Sequence, residues 1–198
     1  MPPSRRIGVF LFAGAEELDW AGPWEVLAAW SRIWPDDGVE TLTVGRDKAP
    51  LTCAKGLQVV PAHDWVDAGP LDLLIYPGGR GVRAHLDDQA VLDWVRGLAR
   101  AGTVLASVCT GSWVLARAGL LDGRPATSHW SGLDRLAELG RDIEVRREAR
   151  FVDDGDILSA AGVSAGIDMA LHLVARLGSV ERAREVRRYI QYDPAPPV

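Results

Sequence analysis

Cys109 stands in the stretch "TVLASVCTGSWVLARAGLL", between an apolar run that reads as a buried strand and an amphipathic run that reads as a helix. A thiol at a helix start meets unpaired N–H groups and a partial positive charge, which favour thiolate over thiol. The sequence thus predicts a cysteine nucleophile with a lowered pKa. Its small neighbours Ser107 and Gly111 permit the sharp strand-to-helix turn on which a nucleophile protrudes. From position alone, a buried cysteine used as a small apolar side chain is the competing reading. Cys53, in "LTCAKG", has no such setting and is expected to be inert.

Two other segments bring chemistry to the same sheet edge. In "AGAEELDWAGPWEVL", Glu16, Glu17 and Asp19 lie in the loop leading to a helix that begins around Pro23. A carboxyl beside a thiolate has a raised pKa, from like charge and desolvation, and can hand a proton to a substrate atom. Asp19 is preferred because it stands closest to the helix start; an ordinary acid in a helix's first turn is the alternative. In "LDLLIYPGGRG", Gly78 and Gly79 allow close backbone approach and offer N–H donors for a developing negative charge, or else simply make a turn. Trp113, one helical turn past the cysteine, either packs in the core or narrows a pocket.

These residues are positioned by an alternation of short apolar runs and longer amphipathic ones: "RIGVFLF", "GPWEVLAAWSRIW", "VETLTVG", "LDLLIY", "DDQAVLDWVRGLARA", "GTVLASV", "GSWVLARAGLL". Such alternation specifies an α/β domain with a mostly parallel sheet and helices on both faces. In such sheets the ligand crevice lies beyond the carboxyl ends of the strands, where Cys109 falls. Pro23 suits a first helical turn, Asp87 an N-cap and Gly102 the end of a helix. Further on come "ATSHW", a helix-like "SGLDRLAELG", an antiparallel pair turning at "DDGD", two helices and a proline-rich terminator, "DPAPPV". No linker interrupts residues 1–198, so one domain is expected.

The chain's 198 residues, 47% hydrophobic and 25% charged, suffice for one substantial core. A net charge of -5 with scattered arginines argues against nucleic acid as a partner. No apolar run is long enough for a signal segment or a membrane span, so a cytoplasmic protein is expected. The histidines His63, His85, His129 and His172 lack zinc-ligand spacing, and no metal is expected.

The blocks "ELDWAGPWEVL", "IYPGGRGV", "SVCTGSWVLARAGLLDGRPATSHW", "AAGVSAGIDMALHLVARL" and "IQYDPAPPV" resemble the ThiJ/PfpI superfamily. Its members are flavodoxin-like, class I glutamine amidotransferase-like proteins with a cysteine at a nucleophile elbow. The resemblance runs from Ile7 to the C-terminal end and is greatest to the isonitrile hydratase branch. There an aspartate and a Cys-Thr pair form the active site, matched here by Asp19, Cys109 and Thr110. The resemblance implies a homodimer acting on a small isonitrile without metal or organic cofactor. Peptidase-like relatives carry histidine directly after the cysteine, where this chain has Thr110, so triad proteolysis is disfavoured. Other relatives are sensor domains of transcription regulators; no residue follows Val198 here, so no DNA-binding half is expected. Trp113 replaces the smaller aliphatic residue expected in the hydratase branch, which bears on substrate size. His129 is open between a catalytic base and a packing or interface residue.

The reaction so implied is hydration of R–N≡C to the N-substituted formamide through a cysteine thioimidate. Asp19 would supply a proton to the isonitrile carbon, Thr110 would orient water or the substrate nitrogen, and amides near Gly79 and Thr110 would stabilise the tetrahedral intermediate. Two other functions fit the same residues: a glyoxalase- or deglycase-like enzyme acting on dicarbonyls, and a non-catalytic sensor or binding protein.

Overall fold

The computed structural model describes residues 5–194. In chain order the elements are β1 (Arg5–Phe10), α1 (Glu17–Ile33), β2 (Val39–Gly45), β3 (Leu51–Thr52), β4 (Gln58–Val59) and β5 (His63–Asp64). Then follow β6 (Leu73–Tyr76), α2 (Val82–His85), α3 (Gln89–Arg100), β7 (Val104–Val108), α4 (Gly111–Arg117), β8 (Pro125–Ala126) and α5 (Leu133–Leu139). The chain continues through β9 (Glu144–Val145), β10 (Phe151–Asp153), β11 (Ile157–Ala160), α6 (Ala165–Leu177) and α7 (Val180–Tyr189).

Seven strands make one sheet in the order β10-β11-β7-β6-β1-β2-β5, parallel throughout except for the β10 and β11 pair. Its five central strands, β2-β1-β6-β7-β11, have the flavodoxin-like order, as expected. Helices α1, α6 and α7 pack together as one layer, and α2 to α5 as the other. Covering both faces leaves the central strands no polar side, which is why all four residues of β6 are buried and its sequence does not alternate. The chain diverges between β1 and β6, since β1 leads to β2 on one side while β6 enters on the other. A crevice forms at the carboxyl ends of strands that part in this way.

The expected turn at "DDGD" joins β10 to β11, with Gly155 at φ +83 and its N–H donating to Asp153 Oδ1 at 3.0 Å. Two helix starts differ from expectation. Helix α1 begins at Glu17, because Glu16 is extended, and this places Pro23 inside the helix. Proline lacks the N–H that would have bonded the Asp19 carbonyl, a loss offset here by packing of its ring against Gly166 of α6. Helix α3 is capped by Asp88, whose Oδ1 accepts from Ala90 N–H at 3.0 Å and Val91 N–H at 3.3 Å; Asp87 instead pairs with Arg117. The "DPAPPV" terminator lies mostly outside the described residues.

Sequence periodicity did not anticipate the antiparallel ribbon of β3 and β4, whose strands have two residues each. The ribbon docks on the loop after β1: Gly14 N–H donates to Thr52 O and Ala54 N–H to Ala15 O, both at 2.8 Å. It carries Lys55 to the edge of the crevice. Among the described residues no helix is long and apolar enough to cross a membrane.

Candidate active site

Cys109 ends β7 with φ +57, a left-handed conformation that costs a non-glycine residue roughly 1–3 kcal/mol. Four hydrogen bonds hold it there. Its N–H donates to Ala160 O at 3.1 Å and Ala161 O at 2.8 Å, and its carbonyl accepts from Ser112 Oγ at 3.1 Å and Ser128 Oγ at 2.9 Å. The next turn needs Gly111, since a Cβ at that position would lie 2.3 Å from Tyr76 O. The elbow read from the sequence is present, with a strained backbone that aims the thiol into the crevice.

Asp19 sits in the first turn of α1 rather than in a preceding loop, and it is fully buried. Its Oδ2 accepts from Gly78 N–H at 2.9 Å. Oδ1 makes no hydrogen bond of good geometry, but the Cys109 thiol and the Val163 N–H both face this carboxyl. Of the three acidic residues considered, Asp19 is the one that meets the thiol. Glu16 pairs with Lys55 Nζ, and Glu17 accepts from the Lys55 N–H at 2.6 Å.

The turn after β6 ties these parts together. Gly79 N–H donates to Thr110 Oγ1 at 3.1 Å, while Gly78 holds Asp19. A Cβ at Gly78 would stand 2.6 Å from Thr110 N, 2.7 Å from Thr110 Oγ1 and 2.9 Å from Asp19 Oδ2, so only glycine fits. Both glycine amides are therefore engaged in positioning the carboxyl and the hydroxyl. This differs from the expectation that they await an anionic intermediate. The Thr110 N–H and hydroxyl both approach the Cys109 sulfur, and the hydroxyl, having accepted from Gly79, keeps its own hydrogen to donate.

The electrostatics overturn the expectation of a low-pKa thiol. Burial, and then the neighbouring Asp19, push Cys109 up to about 12, outweighing the Thr110 N–H at the start of a seven-residue helix. Burial likewise raises Asp19 from 3.8 to about 7, against the lowering effect of its hydrogen bonds. The cause is shared: two acidic groups lie together in a poorly solvated place, so at most one negative charge is held between them. Cys53 is also buried, and its pKa is raised by burial.

Beyond the thiol opens a cleft of about 370 Å³. Trp113 forms part of its wall, half-buried and packed against the core, with its indole N–H donating to Gly132 O at 3.0 Å. His129 also lines the cleft. Its Nδ1 accepts from Ser131 N–H at 3.3 Å and contacts Ser131 Oγ at 2.8 Å, and its ring packs against Gly162. No carboxylate pairs with it among the described residues, and its contacts there are those of a capping and packing residue. Sequence reasoning missed Val163, a β-branched residue at φ +47, and the wall residues Arg80 and Arg83. Backbone strain leaves no mark in periodicity, and exposed arginines look alike in a sequence.

The family model for DJ-1/PfpI matches residues 5–176. The chain belongs to the DJ-1/PfpI family. Within that family it is 41% identical over 192 residues to the isonitrile hydratase of Pseudomonas putida, covering 97% of this chain and 80% of that protein. It is 42% identical over 142 residues to the HTH-type transcriptional regulator CdhR of Pseudomonas aeruginosa, covering 71% of this chain but only 41% of the regulator. A solved structure of a ThiJ/PfpI family protein from Pseudomonas syringae superposes with a TM-score of 0.86 at 32% identity, covering 98% of this chain and 78% of that one. Likeness to a hydratase over nearly the whole chain supports an enzyme of the DJ-1/PfpI family.

Proposed function

We propose that this protein hydrates an isonitrile, R–N≡C, to the N-substituted formamide, with Cys109 as nucleophile and Asp19 as proton donor and acceptor. The observation that carries this reading is the buried Asp19 and Cys109 pair, arranged by Gly78 and Thr110 so that at most one negative charge is held between them. Isonitrile carbon must accept both a nucleophile and a proton. A carboxyl and a thiol that share one proton supply both.

In the productive form the shared proton resides on Asp19 and the sulfur is thiolate. Sulfur bonds to the terminal carbon while Asp19 protonates that carbon, giving the thioimidate R–N=CH–S–Cys109 and an Asp19 carboxylate. The carboxylate then takes one proton from water as the hydroxyl adds to the same carbon. The nitrogen takes the hydroxyl proton, the C–S bond breaks, and R–NH–CHO leaves thiolate and neutral Asp19 behind. The Thr110 N–H and hydroxyl, which approach the sulfur, stabilise the thiolate at both ends of the cycle. With the glycine amides engaged, Gly78 and Gly79 serve as positioning groups for the carboxyl and the hydroxyl. Thr110 occupies the place of a triad histidine, and no acid orients His129 among the described residues, which disfavours peptide hydrolysis.

The deciding experiment is incubation with cyclohexyl isonitrile, following N-cyclohexylformamide by chromatography. Formamide formed by the wild type and not by Cys109→Ala is the expected result. Methylglyoxal runs in parallel, because a glyoxalase of Caenorhabditis elegans is 25% identical over 156 residues. Methylglyoxal consumption without formamide would replace the hydratase reading with the glyoxalase one, and ligand binding without any turnover would replace it with a sensor. The homodimer that the resemblance implies, and the cytoplasmic location expected from the lack of a signal-length apolar run, belong to the same proposal, the former tested by analytical ultracentrifugation.

A further inference from the structure

Arg80 and Arg83 lie three residues apart on the turn that runs from Gly79 into α2, and both line the cleft that holds Cys109. Both are exposed, and neither makes an ion pair or side-chain hydrogen bond among the described residues. The carboxylates nearby are already occupied. Glu16, on the same cleft wall, pairs with Lys55, and Asp87, which with Arg83 lines the adjoining hollow, pairs with Arg117. Asp19 is fully buried and takes its hydrogen bond from Gly78. The cleft of a chain with net charge -5 therefore presents two guanidinium groups that no carboxylate pairs with among the described residues. The Arg80 stem is itself placed, with its Cγ 3.2 Å from the position a Cβ on Gly14 would occupy. Planar guanidinium groups suit a carboxylate, which each can grip through parallel N–H bonds.

We infer that the cleft takes an isonitrile bearing a carboxylate, with the isonitrile carbon at Cys109 and the carboxylate held by Arg80 and Arg83. This rests on the hydratase reading and adds the substrate class to it. The carboxylate takes no part in bond making, so the reaction balances as written above. Charge-assisted hydrogen bonds of this kind favour the acid over a neutral isostere by roughly tenfold to a hundredfold.

The test compares isocyanoacetate with its methyl ester. The wild type should hydrate the acid with a kcat/KM higher by about that factor. The double variant Arg80→Gln, Arg83→Gln should bring the ratio of acid to ester near unity. Arg100→Gln, which removes an arginine outside the cleft, should keep the wild-type ratio. A wild-type ratio at or below unity, or a ratio that the double variant leaves unaltered, overturns the inference and leaves the hydratase reading standing. Failure of the wild type to hydrate any isonitrile sinks the hydratase reading instead. The anion site is then read by calorimetry with N-formylglycine and N-formylglycinamide. Tighter binding of the acid, lost in the double variant, supports the site, and equal binding overturns it.

Discussion

Relative to wild type, a variant with Asp19 replaced by asparagine should gain stability as pH rises. Asp19 is fully buried, so its charge is little screened, and burial raises its pKa from 3.8 to about 7. Its contribution to stability is fully present below the unfolded pKa. It is lost as pH rises through the folded value of about 7, because the unfolded carboxyl ionises freely and the folded one does not. That displacement corresponds to about 4 kcal/mol in all, of which about 2.5 kcal/mol accrues between pH 5 and pH 8. The asparagine carries no charge at either pH, and its amide oxygen can still accept from Gly78 N–H, so the variant escapes this loss. For a chain of this length the gap in Tm between variant and wild type should widen by roughly 5–10 °C from pH 5 to pH 8. Thermal or urea unfolding of both proteins across that range measures it, and the titrating groups other than Asp19 and its neighbour Cys109 cancel in the comparison. A gap that is constant with pH, or that narrows as pH rises, would refute the burial argument for Asp19. The same variant should be inactive, since an amide cannot exchange a proton with the isonitrile carbon.

The pair loses its first proton near pH 7, so kcat/KM for an isonitrile should rise through that pH; a profile falling across it would contradict the shared-proton cycle. Alkylation of Cys109 by iodoacetamide should be slow at neutral pH and speed up toward pH 9, faster in Asp19→Asn, where the charge that raises the thiol pKa is gone. Peptide mapping by mass spectrometry reads this, and rapid labelling of the wild type at pH 7 would show an ordinary low-pKa thiol. Gly78→Ala should lose activity and about 1–3 kcal/mol of stability in urea unfolding, because its Cβ would meet Thr110 and Asp19 at under 3 Å. Wild-type activity in that variant would remove the positioning role given to the turn.

The sheet and the elbow were legible in the order of residue types, which also placed Asp19 at that edge with Glu16 and Glu17. The helix start that favoured Asp19, however, lies two residues before it and not after it. Apolar runs of strand length alternating with amphipathic helices admit few architectures, and a ligand crevice at the strand ends follows from topology. That logic placed Cys109, Asp19 and the "PGGRG" turn on one edge before any contact was visible. The charge state was not legible in this way. A helix start lowers a thiol pKa, but desolvation by residues distant in sequence, and a carboxyl ninety positions away in the chain, raise it further. Nor could pattern reveal that the Gly78 and Gly79 amides hold Asp19 and Thr110, since hydrogen-bond partners across sixty and thirty residues leave no periodic trace. Pro23 teaches the same lesson locally: its propensity favours a first helical turn, yet it lies inside α1, close against Gly166 of α6. Pattern reports which surfaces must be buried, and so it reveals the scaffold. The pKa of a buried group depends on what is buried beside it, and only the folded chain brings those neighbours together.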